Sequence, residues 1–194
     1  MRRLAVLALA ALAVSCARSP VPRYYTLDMT RSAGAAPGPA LEVGRLRTHD
    51  ALSRADILIK KSPTEIEYYA AHRWAAPLEE LIREKLDVEF GARAADADAS
   101  ETAGAERLIL SGVVLAFEQV DAAAGAEAHI KLDLAFRPSG ASAYDAPLFE
   151  RVYETSVAAA ADPCAVVEAL SRALEELAAQ IRADAARIAE PPGQ

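Results

Sequence analysis

Two stretches of this chain repeat their large apolar residues at helical spacing, and most of the remainder alternates or runs apolar in short bursts. Leu78, Ile82, Leu86 and Phe90 recur every four residues with Leu81 beside them, while Glu79, Arg83, Glu84 and Asp87 occupy other faces. This spacing predicts an amphipathic helix over about 76–90, opened by Pro77, with Glu79 and Glu80 at the positive end of its dipole and Gly91 as its stop. A longer stripe, Val166, Leu170, Leu174, Leu177, Ile181 and Ile188, is opposed by Glu168, Arg172, Glu175 and Arg182. Asp162-Pro163 supplies a capping side chain and a proline at the first helical position, and Pro191 and Pro192 end the pattern, which predicts a helix over 163–189.

Strand signals fill the intervals. Arg23 to Asp28 and Leu41 to Leu46 are short runs suited to a pleated surface, and Asp56 to Lys61 and Thr64 to Tyr69 flank Ser62-Pro63 as a hairpin. Arg107 to Val120 is apolar on both faces, as a central strand is, with Gly112 the expected bulge. After a turn over Asp121 to Ala128, His129 to Phe136 alternates strictly: Ile130, Leu132, Leu134 and Phe136 face inward, and His129, Lys131 and Asp133 face water. Leu148 to Val157 completes a meander. Ser32 to Pro39 and the alanine-rich Ala92 to Ala105 offer no large apolar residue and read as loops. The order of elements gives an α+β fold, a mixed, mostly antiparallel β-sheet covered by two amphipathic helices at about 76–90 and 163–189.

The amino terminus follows a different rule. Arg2 and Arg3 precede an unbroken apolar run from Leu4 to Val14, which is too short to cross a bilayer needing about 20 helical residues. That is the pattern of a secretory signal peptide over 1–15. Leu12-Ala13-Val14-Ser15-Cys16 resembles the lipobox of bacterial lipoproteins, with Leu12 one place further from the cysteine than usual. The resemblance implies that Cys16 is acylated and becomes the first mature residue. Three acyl chains at about 0.8 kcal/mol per buried methylene hold a protein on a membrane almost permanently. Residues 16–22 then form a lipidated tether, 23–190 a single periplasmic domain and 191–194 a tail. Ala17, in place of a retaining aspartate, favours the periplasmic face of the outer membrane, with the inner membrane as the alternative.

Charge narrows the partners. The 194 residues carry 21 Lys and Arg against 28 Asp and Glu, a formal net charge of −7, and loss of the leader removes two more arginines. Such a surface gains nothing from nucleic-acid phosphates and is repelled by anionic lipid, so any membrane attachment falls to Cys16. Two cysteines build no disulfide scaffold, and Cys164 reads as a small, buried free thiol near a helix start. No phosphate-cradling glycine loop, nucleophile elbow, H-E-x-x-H or paired C-x-x-C motif is present, and His49, His72 and His129 lie far apart. The sequence therefore predicts no catalytic residue, cofactor or metal. Trp74 is expected in the core, His129 in solvent, and each of the pairs Tyr24-Tyr25 and Tyr68-Tyr69 divided between the two sides of its strand.

Taken in order, the lipobox, Tyr24-Tyr25-Thr26-Leu27, Ile57-Leu58-Ile59, Thr64-Glu65-Ile66-Glu67 and Arg73-Trp74-Ala75-Ala76-Pro77-Leu78 resemble the ABC-type transport auxiliary lipoprotein family, which includes paraquat-inducible lipoprotein C. Leu115-Ala116-Phe117-Glu118 and Leu170-Ser171-Arg172-Ala173-Leu174 fit the same pattern, and the chain departs from it at Asp50-Ala51-Leu52-Ser53-Arg54. The resemblance implies a non-enzymatic lipoprotein that accompanies an MCE-family periplasmic protein and an ABC transporter permease and ATPase in intermembrane lipid trafficking. It implies no catalytic residue. Homo-oligomerisation stays open, as do two other readings: a lipoprotein that binds lipid or glycan by itself, and an anchored hydrolase.

Overall fold

The computed structural model describes residues 20–31, 41–96, 107–122, 125–142 and 145–189. The expected signal peptide, Cys16, the loop over 32–39, the stretch 97–105 and the tail lie outside the described residues. Seven strands form one sheet: β1 (Arg23–Tyr25), β2 (Leu41–Thr48), β3 (Asp56–Ser62), β4 (Glu65–Trp74), β5 (Leu108–Ala122), β6 (Gly125–Pro138) and β7 (Phe149–Ala159). Two helices, α1 (Leu78–Asp96) and α2 (Pro163–Ala189), complete the α+β architecture expected from the sequence.

The sheet runs β1-β4-β3-β5-β6-β7, with β2 also on β5. The long pairings β5 with β6, β6 with β7 and β3 with β4 are antiparallel, whereas β1 on β4 and β2 and β3 on β5 are parallel. Because β6 takes one edge of β5 along its whole length, β2 and β3 share the other, β2 beside Leu108–Val114 and β3 beside Gln119 and Val120. They behave as one strand interrupted by a short 3-10 turn, Asp50–Leu52.

Both helices lie on one face. Ile130, Leu132, Leu134 and Phe136 of β6 are wholly buried beneath Val166, Leu170, Leu174, Leu177 and Ile181 of α2, and Ile82 and Leu86 of α1 join the same core. Trp74 is in that core as expected, its ring 5.7 Å from that of Phe117 in an edge-on arrangement. Asp162 caps α2 as its sequence predicts: Oδ1 accepts from the Cys164 and Ala165 amides at 2.9 and 3.1 Å. Near the far end of α2, buried Tyr153 donates to Asp184 at 2.7 Å.

Several boundaries differ from the sequence expectation, each for a physical reason. α1 does not stop at Gly91 but continues to Asp96. One glycine costs a helix about 1 kcal/mol, and the following Ala-Arg-Ala-Ala are among the best helix formers. The turn expected over Asp121 to Ala128 shrinks, because β5 and β6 stay paired to Ala122 opposite Gly125. β1 is only three residues long, and β4 extends to Trp74 by looping out residues that include Ala71, whose φ is 61°.

Gly112 is not the bulge. A Cβ there would stand 2.0 Å from the Asp133 carbonyl oxygen, so the glycine admits close approach of β6. The irregularity in the β5–β6 ladder falls between Val114 and Ala116, leaving Leu115 as the extra residue. Its consequence follows from the two-residue period of a strand. Val114 opposite Leu132 and Phe117 opposite Ile130 both face the helices, although three positions apart, and Glu118 opposite His129 is turned to the open face.

Candidate functional site

The segment after the expected anchor is tied to three elements in succession. β1 pairs with His72–Trp74 of β4, the Ala75 amide donates to the Tyr25 carbonyl at 2.8 Å, and the Tyr25 hydroxyl lies 2.8 Å from His72 Nδ1. Leu27 is 1% exposed. The Asp28 amide donates to Ser171 Oγ of α2 at 3.1 Å, and that hydroxyl donates in turn to the Val167 carbonyl at 3.0 Å. Finally Lys85 Nζ of α1 donates to the Thr30 carbonyl at 2.5 Å and to Glu175 at 2.9 Å, with Glu89 at 3.2 Å. We call residues Arg23 to Thr30 the strap.

Lys85 and Glu89 are 0% and 1% exposed. Sequence reasoning passed over them, although a charged pair four apart beside an apolar stripe is a signal of burial when a second helix supplies Glu175 and Arg182 seven apart. Arg182 lies 3.6 Å from Glu89 and also donates to its backbone carbonyl at 3.0 Å. A buried charge needs such partners, and the strap's carbonyl is one of them.

Beside the strap, a cleft of about 430 Å³ opens between Tyr25–Asp28 and the first turns of α2. Cys164 lines it. The thiol is exposed, not buried as expected, and reaches toward Glu168 at 3.7 Å. Burial by neighbouring atoms and the negative charge of Glu168 push its pKa up, so it is a poor nucleophile at neutral pH. A second cleft of about 440 Å³, between β2 and the start of α1, mixes Arg45, Arg47 and Arg83 with Glu79 and Glu80.

The open face of the sheet carries an ion network. His129 Nε2 lies 2.9 Å from Glu154 and Nδ1 3.5 Å from Glu118, while Lys60 approaches Glu118 at 3.6 Å and Lys131 approaches Glu154 at 2.8 Å. The expected solvated histidine is instead 15% exposed in its side chain, because the bulge at Leu115 sets Glu118 against it. Glu118 raises the pKa of His129, burial opposes that rise, and Glu154 adds to it. The cluster has cations and carboxylates already matched, the composition of a solvent-facing polar surface. Around it Val152 and Ile66 are 46% and 47% exposed.

Of the tyrosine pairs, Tyr24 is exposed and Tyr25 is half-buried, as expected, whereas Tyr68 bonds the Ala51 carbonyl at 3.0 Å and Tyr69 the Gln119 side chain. Among the described residues no helix is long and apolar enough to cross a membrane, and no group of His, Cys, Asp and Glu is arranged to hold a metal.

Solved structures of similar shape support the fold. An uncharacterized protein aligns with a TM-score of 0.63 at 18% identity, over 85% of this chain and 99% of its own. A Xanthomonas campestris protein aligns with a TM-score of 0.66 at 17% identity, over 87% and 96%. No curated protein matches the chain. Residues 25–182 match the family described as ABC-type transport auxiliary lipoprotein component, a span that runs from Tyr25 in the strap, through β2 to β7 and α1, to Arg182 on the buried charge network. The chain therefore belongs to the ABC-type transport auxiliary lipoprotein family.

Proposed function

We propose that the protein is acylated at Cys16 and acts as a non-catalytic docking body for an ABC/MCE-type transport system that moves lipid between membranes. The observation that carries the anchored reading is the strap: the chain enters the fold at Arg23, seven residues after Cys16, and is bound to β4, α2 and α1 before it reaches Arg31. A tether fixed at three places transmits the position of its anchor to the whole domain. Seven residues reach at most about 23 Å at roughly 3.3 Å each, so the domain stays close to the bilayer. Confinement raises its effective concentration for any partner at that surface.

The periplasmic face of the outer membrane is the proposed location, on the strength of Ala17, and an MCE-family protein with its permease and ATPase are the proposed partners, by family resemblance. The open face, with matched charges around His129 and exposed Val152 and Ile66, is suited to a reversible polar interface. Cell fractionation of the native and Cys16→Ala chains tests the anchor: the native chain belongs with the membranes and the variant in the soluble fraction. A native chain already soluble overturns it. Crosslinks from the open face to an MCE protein or permease support the docking role, and their absence in cells that express all components counts against it.

A further inference from the structure

β1 stands at the end of the sheet, with β4 on one side and, among the described residues, no strand on the other. The Tyr25 carbonyl is bonded to the Ala75 amide, so the alternation of an extended backbone turns the amides and carbonyls of Tyr24 and Thr26 away from β4. Thr26 is exposed, lines the cleft beside α2 and makes no hydrogen bond among the described residues. The open edge is short. Pro22 bounds it on one side, having no amide hydrogen, and the Asp28 amide, which donates to Ser171 Oγ, bounds it on the other. Val21 and Tyr24, two of the few large apolar side chains in the open, lie on this stretch.

The exposed lining of the cleft is polar. Leu27 and Val167 are buried in its wall, and an occupant meets Thr26 and Asp28 on the strap and Cys164, Glu168 and Arg172 on α2. Asp28, Glu168 and Glu175 place three carboxylates there against the one arginine. Glu175 is engaged by Lys85 at 2.9 Å and Asp28 accepts from the Thr30 amide at 2.8 Å, but exposed Glu168 has only the Cys164 thiol, 3.7 Å away, among the described residues. We infer that the free edge of β1 takes up an extended, basic segment of a partner protein as an added strand, its main chain bonded to Tyr24 and Thr26 and a lysine or arginine paired with Glu168. In strand addition the main-chain bonds supply affinity and the side-chain contacts supply specificity. Charge sets the class of occupant, because an acidic lining on a chain of net charge −7 repels an acidic segment and attracts a basic one. The cleft of about 430 Å³ leaves room for the side chains of the added strand between β1 and α2. This surface is separate from the open face of the sheet, and the inference rests neither on acylation of Cys16 nor on a transport partner.

The test titrates the full chain carrying Cys16→Ala against a fluorescein-labelled peptide of alternating valine and lysine, followed by anisotropy. Saturable one-to-one binding is expected, with slowed hydrogen exchange at the Thr26 amide and slowed alkylation of Cys164, the one thiol left in this chain. Glu168→Lys, at an exposed helix position, should weaken binding about tenfold. Thr26→Pro, which removes an outward-facing amide, should abolish it. The same peptide N-methylated at its main-chain amides keeps its charge and loses its donors, and it should not bind; nor should a peptide of alternating valine and glutamate. Unfolding midpoints of the variants are measured alongside, so that lost binding is separated from lost structure. No saturable binding, equal binding of the N-methylated peptide, or binding indifferent to both substitutions in folded protein overturns the inference. Protection of the Thr26 amide that grows with protein concentration in the absence of peptide would give the edge to a second copy of this chain and overturn it as well. The mass of native Cys16 and the crosslinks from the open face are separate readouts: an unmodified sulfur or a silent open face defeats those proposals and leaves this titration unaffected.

Discussion

Lys85 Nζ, wholly buried on α1, donates to the carbonyl oxygen of Thr30, 55 positions earlier in the chain, at 2.5 Å. The ammonium thereby fixes the end of the strap to the helix layer while Glu89 and Glu175 balance its charge. Removing it takes from buried Glu89 a cation 3.2 Å away and leaves Arg182 at 3.6 Å.

Lys85→Met is therefore expected to destabilise the fold by about 3 kcal/mol, the range for breaking a buried pair from one side. Lys60→Met, which removes a half-exposed partner of Glu118, should cost less than about 1 kcal/mol. Urea denaturation of both variants at neutral pH provides the comparison, and equal losses would show that the Lys85 cluster is no more than a surface pair in effect.

His129 should make stability depend on pH in a stated direction. Its folded pKa lies above the ordinary value of 6.5, first because Glu118 favours the imidazolium, against burial, and then because Glu154 does too. The charged form is thus the better bound one. Its stabilisation is complete below about pH 6.5 and is lost as pH rises through the folded pKa. Imidazole NMR should place the His129 midpoint above 6.5, Glu118→Gln should lower it, and the stability difference between native protein and His129→Gln should shrink as the pH is raised. A midpoint at or below 6.5 contradicts the network.

Gly112→Ala tests the close approach of β5 and β6. The new methyl would meet the Asp133 carbonyl at 2.0 Å, and backbone atoms cannot swing aside as a side chain can. A loss of about 3 kcal/mol or failure to fold is expected. Gly140→Ala, where φ is 91° and nothing lies within 4 Å of the added atom, should cost only the backbone strain of about 1–2 kcal/mol. Thermal melts of the two variants decide the matter; a Gly112→Ala protein as stable as the native one would mean that the strands are free to part.

Much of the architecture was legible because it rests on local periodicity. The apolar stripes of α1 and α2, the Asp162 cap and the alternation of Ile130, Leu132, Leu134 and Phe136 are each written in consecutive residues and reappear in the core. Trp74 belonged to the core by its place next to a helical stripe. What escaped was the consequence of pairing. Cys164 was expected inside, yet an early position on a helix gives little cover unless another element packs over it, and here only the rim of a cleft does.

By itself the sequence determined the elements, the α+β class and the family, because hydrophobic period, caps and motif order are properties of neighbouring residues. Only the tertiary structure decided which charges meet. The bulge at Leu115 reverses the faces of β5 beyond it and so sets Glu118 against His129, and the packing of α1 on α2 encloses Lys85 with Glu175 and Thr30. Both outcomes depend on register and on contacts between residues far apart in the chain, and a strand or helix read alone carries no record of its partner's position.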